Sequence, residues 1–325
     1  MSMRLLGIAC LSTAALAAAP DVARADQNDL VMSRLGTASG NTVIGSNQDF
    51  RALASELGVV LAPRLGEPSD TLGFGGFHFS ADVAFTSINN NADYWRALES
   101  SSGNIGDNHG GSTMSSTGVF VKKGIWLPLP SFEIGLGAVN LGQSQMWASQ
   151  GYVKFALHEG YHDLPLPSVA VRGAASRMMG SDQIDLTVAS VDVSASKEFG
   201  VAGTFQATPY GGFNWLIIVP RSEVIDKTPD IDVRNDPMDA GSNFVFKDQD
   251  DIYRSRFFLG TRLKYHIFTL TLEAAFALAG DSTDDTPGTD LDCRNVDPNS
   301  PTSACDAVDL SGNQSTFTTS LGLEF

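Results

Sequence analysis

The last eleven residues, Ser315 to Phe325, alternate without interruption. Phe317, Thr319, Leu321, Leu323 and Phe325 fall on one parity, and Thr316, Thr318, Ser320, Gly322 and Glu324 on the other. A period of two over that length is a strand with one apolar and one polar face. A soluble chain gains little from ending on a free carboxylate beside an exposed aromatic. Similar alternation recurs upstream from Phe74 onward, so the chain must arrange many two-faced strands.

The other end supplies an address. Arg4, the apolar run Leu5 to Ala19 and then Ala23-Arg24-Ala25 have the order of a secretory signal peptide, with cleavage expected after Ala25. The run is too short for a membrane helix and is followed by Pro20. Cys10 lies inside it without a lipoprotein-type position. Later in the chain no run approaches the roughly 18 apolar residues that a membrane helix needs. Only helices and closed barrels cross a bilayer, so an exported membrane chain of this kind is expected to be an all-β antiparallel barrel.

Charge excludes one class of partner. The chain carries a net −16, which becomes −17 once Arg4, Arg24 and Asp21 leave with residues 1–25. No basic stripe stands clear of acidic neighbours, so nucleic acid is not an expected partner. Cys293 and Cys305 remain after processing and, in an oxidising compartment, are expected to pair.

Residues 26–73 form an N-terminal segment. Within it Ser46-Asn47-Gln48-Asp49 has capping-box spacing, and Phe50, Leu53, Ala54 and Leu57 lie at i, i+3, i+4 and i+7. This predicts a helix over about 46–57 that Gly58 ends. It could plug the barrel or dock at its periplasmic rim. Residues 74–325 hold ten predicted strands, with eight or twelve as alternatives: about 77–86, 117–127, 132–141, 151–157, 168–178, 184–196, 204–215, 252–265, 267–279 and 315–325. Val139 and Leu141 switch parity within the third, which predicts a bulge or poor pairing there. Another strand could hide in Val59–Pro63. The long stretches 89–116, 216–251 and 280–313 then all fall at one end, and the two Leu-Pro-Leu-Pro turns, Lys197 to Ala202 and His266 at the other. Long outside loops and short periplasmic turns are the asymmetry of such barrels. On the eighth strand Tyr253 and Tyr265 share the outward parity about 30 Å apart, which suits two aromatic girdles.

The terminal strand, with its closing Phe325, resembles that of Gram-negative outer-membrane β-barrels. The resemblance spans roughly Phe74 to Phe325. It implies residence in the outer membrane among its lipids, and contact with the assembly machinery through Phe317, Leu321, Leu323 and Phe325. It implies no activity.

Lumen-facing charges are the candidate site: Arg254, Arg256, Arg262 and Lys264 on the eighth strand, with Asp82, Glu133, Lys154, Arg172, Glu273 and Glu324 elsewhere. They could line a narrow pore for small, preferably anionic solutes. They could instead form a paired network, with Glu273 as the arginines' partner, because buried charge must be paired or hydrated. A narrow or gated channel is the expected function, and a closed structural or adhesive barrel the alternative.

Chemistry finds little support. His158-Glu159-Gly160-Tyr161-His162 matches H-E-x-x-H, which binds zinc when a helix puts both histidines on one face. Here the preceding residues alternate as a strand, and Pro165 and Pro167 follow. Asp107-Asn108-His109 is the only loop candidate for a protease-like Asp/His pair. Segment 216–251 has nine acidic residues against four basic, and 280–313 eight against one. Asp281, Asp284, Asp285, Asp290 and Asp292 could attract hard cations, but the spacing is not an EF-hand's. No enzyme activity, cofactor or bound metal is expected.

Overall fold

The computed structural model describes residues 26–39, 42–107, 110–125, 131–159, 166–201, 204–229, 231, 241–284 and 307–325. Residues 1–25 with the expected signal peptide, Cys293 and Cys305, Asp285, Asp290 and Asp292, and the expected turn at 127–130 lie outside the described residues. In chain order the elements are β1 (Gly36–Ser39), β2 (Thr42–Gly45), α1 (Asn47–Val60), β3 (Phe77–Ser87), β4 (Thr113–Ile125), β5 (Phe132–Leu141), β6 (Trp147–His158), β7 (Ser168–Met179) and β8 (Ile184–Ser196). Then follow β9 (Phe199–Val201), β10 (Phe205–Ser222), β11 (Ile225–Asp226), β12 (Asn243–Phe244), β13 (Ile252–Tyr265), β14 (Phe268–Ala277) and β15 (Gln314–Glu324).

Antiparallel pairing runs from β3 through β8 to β10, β13, β14 and β15, and β15 pairs β3 from Thr316↔Thr86 to Glu324↔His78. The sheet therefore closes into a barrel of 10 strands. Short β9 continues the edge of β8 and pairs the foot of β10, so Phe199–Val201 is strand where a plain turn was expected. Closure removes every edge, the condition for a sheet to lie in lipid.

Outward positions are apolar all round: Phe79, Phe85, Val119, Leu136, Val153, Val191, Trp215, Leu259, Phe276 and Phe317 are exposed. Tyr253 and Tyr265 are exposed at the two ends of β13, as are Leu321, Leu323 and Phe325 on the closing strand and beyond it. So wide an apolar exterior is stable only against acyl chains. No helix among the described residues is long and apolar enough to cross a bilayer. The chain crosses with strands.

Several boundaries and one expected bulge differ from the sequence reading: the second and fourth barrel strands begin at Thr113 and Trp147, earlier than the expected 117 and 151. The seventh barrel strand continues to Ser222, because Leu216-Ile217-Ile218-Val219 has lost the alternation that marks a strand. Pro220 lies beyond the last pair with β13, Ile218↔Ile252, where β10 keeps only β8 as a neighbour and the missing N–H costs least. There is also no bulge at Val139. Both ladders of β5 stay in register through it, and the shift lies instead between Ala156 and His158 on β6. Val139 and Leu141 keep the inward parity of Glu133 and are fully buried. What changes along β5 is the chemistry of the interior.

That change is general. At the barrel end away from Phe325, the inward side chains are Met114, Leu141, Ala148, Met178, Leu186, Val188, Leu216, Ile218, Ile252 and Ala277. They enclose α1, whose Phe50, Leu53, Ala54, Leu57 and Val60 join them in one core. Ser46 caps the helix by accepting the Asp49 N–H at 3.3 Å, and the Asp49 carboxylate pairs with Arg96 at 2.7 Å. The helix is not amphipathic in place; every residue but Asp49 is buried.

Nor does Gly58 end it. The helix runs to Val60, Leu61 caps it, and Val59–Pro63 is helix end and coil, not a hidden strand. Gly58 is there for close approach: an added Cβ would lie 2.6 Å from the Ile218 side chain. Gly58→Ala is accordingly expected to destabilise by about 1–3 kcal/mol despite alanine's better helix propensity. Chemical unfolding in detergent would check this, and a stabilised variant would show that the contact is slack.

Candidate functional site

Below α1 the chain enters the lumen as an irregular strap from Leu61 to Gly76, and the polar interior is organised around it. Its partners descend the strands in order. Gln150 and Ser176 bond the Leu61 carbonyl; Arg64 reaches Asp82 at 3.4 Å and Ser116 at 2.6 Å; Arg172 donates to the Arg64 carbonyl at 2.8 Å. Further on, Ser69 meets Ser194 and Ser196, Lys154 donates to the carbonyls of Pro68 and Asp70, and Glu133 accepts from Leu72 N–H at 2.9 Å. The strap ends where Phe77 pairs with Phe325.

Glu67 is the centre of this arrangement. Its carboxylate lies 3.3 Å from Lys122, 3.4 Å from Lys154 and 3.1 Å from Arg172, and it accepts from the Tyr152 hydroxyl at 3.0 Å. Glu133 shares Lys154 at 3.0 Å and the Tyr152 hydroxyl at 2.7 Å, and Asp192 takes the other side of Arg172 at 2.9 Å. Each of these side chains is almost wholly buried apart from partly covered Tyr152. Buried cations need such partners, and here the chain supplies the anion itself.

The basic residues of β13 are divided among three tasks. Arg254 is drawn toward the end away from Phe325, donating to Ser55, Ser311 and the Gly312 carbonyl at 2.6–2.9 Å. Arg256 bonds Asn214 at 3.0 Å and the Pro63 carbonyl at 3.2 Å. Arg262 and Lys264 pair with Glu324 near the Phe325 end, at 3.4 and 2.6 Å. Glu273 is not an ion-pair partner of these arginines; it accepts from the Tyr210 hydroxyl at 2.8 Å. Around Arg64, Asp82, Phe120, Lys122, Tyr152 and Arg172 a cavity of about 30 Å³ remains, room for water and little more. A roomier apolar concavity, lined by Phe79, Val121, Phe268 and Leu321 among others, lies on the lipid-facing wall.

The end away from Phe325 is sealed separately. Glu56, fully buried on α1, accepts from Tyr94 Oη and Trp95 Nε1 at 2.7 Å each, from Gly312 N–H at 3.0 Å and from Asn89 N–H at 3.1 Å. Burial, with the Glu56 charge alongside, pushes the Tyr94 hydroxyl well above its ordinary range, so it remains a donor. Buried Arg51 donates to the Asp250 carbonyl at 2.9 Å and to Ser282 Oγ at 2.9 Å, and Phe246 stacks on Phe50 at 4.5 Å. The helix thus ties together segments from three long connections.

Glu56, Glu67, Arg64, Tyr152 and Asp192 were absent from the sequence reading of the site. Glu67 sits in Pro63-Arg64-Leu65-Gly66-Glu67-Pro68, which has no periodicity; its one signal is two opposite charges in an otherwise apolar and turn-forming stretch. Only parts of the enzyme-like motifs fall among the described residues. His158 ends a strand, Glu159 is bonded to Thr71, and the rest of that motif lies outside the described residues. Asp107 accepts from Ser102 at 2.6 Å, while Asn108 and His109 lie outside them. Asp284 pairs with Lys247 at 3.0 Å.

No family model and no curated protein matches this chain. Solved structures do. The outer membrane protein OprG from Pseudomonas aeruginosa aligns at 12% identity over 80% of this chain and 99% of that one, TM-score 0.32. The translocator domain of autotransporter NalP from Neisseria meningitidis gives 8%, 84%, 96% and 0.37. The outer membrane protease OmpT from Escherichia coli gives 7%, 82%, 99% and 0.30. The chain's own strand pairing and exposed apolar exterior make the fold a closed, lipid-facing antiparallel β-barrel. A closed barrel with this apolar exterior belongs in the outer membrane.

Proposed function

We propose that this barrel is closed by its own N-terminal segment and serves through the capped end that carries its long connections. The observation that carries the reading is Glu67, which neutralises the three lumen cations best placed to draw in an anionic solute. With that site occupied and about 30 Å³ free beside it, the described residues leave little room there for an open solute pathway. This favours the closed, surface-contact alternative over the narrow channel. The assembly machinery and outer-membrane lipid are its proposed partners, through the exposed residues of the closing strand.

A gated channel is the second reading, and the polar chemistry of the strap favours it. Ion pairs and hydrogen bonds at the waist can exchange for water, which apolar packing cannot do. Planar-bilayer recording of the refolded, unmodified protein separates the two. A silent bilayer is expected, with folding verified by heat-modifiable gel mobility. Steady or voltage-triggered conductance would replace the closed reading with the gated one.

A further inference from the structure

The placement of the N-terminal residues has a sidedness. We infer that the mature N-terminus lies on the outer face of the membrane, carried there by a strap that runs the length of the lumen. The inference goes beyond the closed-barrel reading and holds whether or not the barrel conducts.

The strap's partners give its direction. On β6 they pass from Gln150 to Lys154 and then to Glu159 just beyond it; on β4, from Ser116 to Lys122 and Gly124. Both strands run toward the end where Phe77 meets Phe325. Described residues that precede the strap are held at the opposite end. Asn28 N–H donates to the Gln143 carbonyl at 2.8 Å, Val31 N–H to the Ala97 carbonyl at 2.6 Å, Met32 N–H to Gln183 at 2.7 Å, and Lys227 to the Gly36 carbonyl at 2.7 Å. Those partners lie in or beside connections at the end away from Phe325. Asp26 and Gln27 are exposed there.

That end is the outer one by the asymmetry of membrane barrels, since it holds the long polar connections while β13 and β14 are joined at the other by His266 and Ile267 alone. Assembly order follows. A helix about 10 Å across could not pass through a closed barrel whose interior is little wider than its own side chains. The strap leads directly into β3, which forms the closing seam with β15, so it must be in place before that seam zips. A peptide placed ahead of Asp26 would then be displayed outside, and the exposed Asp26, Gln27, Thr37 and Ala38 belong to the surface met by extracellular partners.

The test is an epitope inserted after Gln27 in the full-length protein expressed in cells, compared with one inserted after His266. Antibody is expected to label the first on intact cells and the second only after permeabilisation. Labelling of Gln27 insertions only after permeabilisation, with the His266 variant giving the opposite result, would overturn the inference. If insertion prevents assembly, the untagged protein can be treated on intact cells with a membrane-impermeant amine reagent near neutral pH, where an α-amino group reacts ahead of lysine. Modification of the mature N-terminal peptide is then the expected result. Its protection, while it reacts after permeabilisation, would reject the topology.

Discussion

Glu67→Ala is expected to lower the stability of the folded barrel by about 3–5 kcal/mol, the usual cost of leaving buried charges without their partner. Lys122, Lys154 and Arg172 all lie within 3.1–3.4 Å of the missing carboxylate. Lys154 would retain Glu133 and Arg172 would retain Asp192, whereas Lys122 has no other ion pair among the described residues. The loss should therefore fall most heavily on Lys122 and the strap. Guanidinium unfolding in detergent measures it, and the variant should recover stability with chloride more steeply than the wild type as the anion fills the vacated place. Glu67→Gln, which keeps the shape without the charge, should lose nearly as much. Wild-type stability in both variants would mean that water, not Glu67, carries these cations.

Glu56→Ala should act at the other end of the plug. Four donors converge on this carboxylate from the segment after β3, from the short helical turn Asp93–Ala97 and from Gly312. Unpaired buried donors cost about 1–3 kcal/mol each, and the loss of several together should exceed about 3 kcal/mol. The damage should be local. The barrel ladders do not depend on Glu56, so heat-modifiable mobility should persist while the outer cap becomes open to protease. Limited proteolysis with mass spectrometry would locate the first cuts, expected near residues 89–99 and 26–45. First cuts at barrel turns near His266 would show that cap and barrel unfold as one unit.

The two ends of the lumen also explain why a barrel interior need not be read as a pore. Polar inward residues at the waist and apolar ones nearer the cap are both matched to the segment inside: Arg256 to the Pro63 carbonyl, Leu216 and Ile218 to the buried face of α1. The same side chains facing water would have made a basic constriction below a greasy vestibule. Occupancy, not composition, decides which it is.

The strands were legible in the sequence because alternation is local. A residue and its second neighbour report one face, so Phe268 to Phe276 and Phe317 to Phe325 declare their lipid side without reference to anything distant. Where both faces are covered by apolar matter, as at Leu216-Ile217-Ile218-Val219 and Val139, that code degenerates, and strand end and parity were misread there. The helix start at Ser46 was equally local, whereas its end was not, because Gly58 answers to Ile218 and not to the helix. What occupies the lumen was beyond any local signal. Glu67 finds Arg172 105 positions away, and Glu56 finds Gly312 at 256. Sequence alone determined a closed, lipid-facing barrel; only the tertiary structure decided that the chain fills it with itself, because contacts between such distant residues exist only once the barrel has closed.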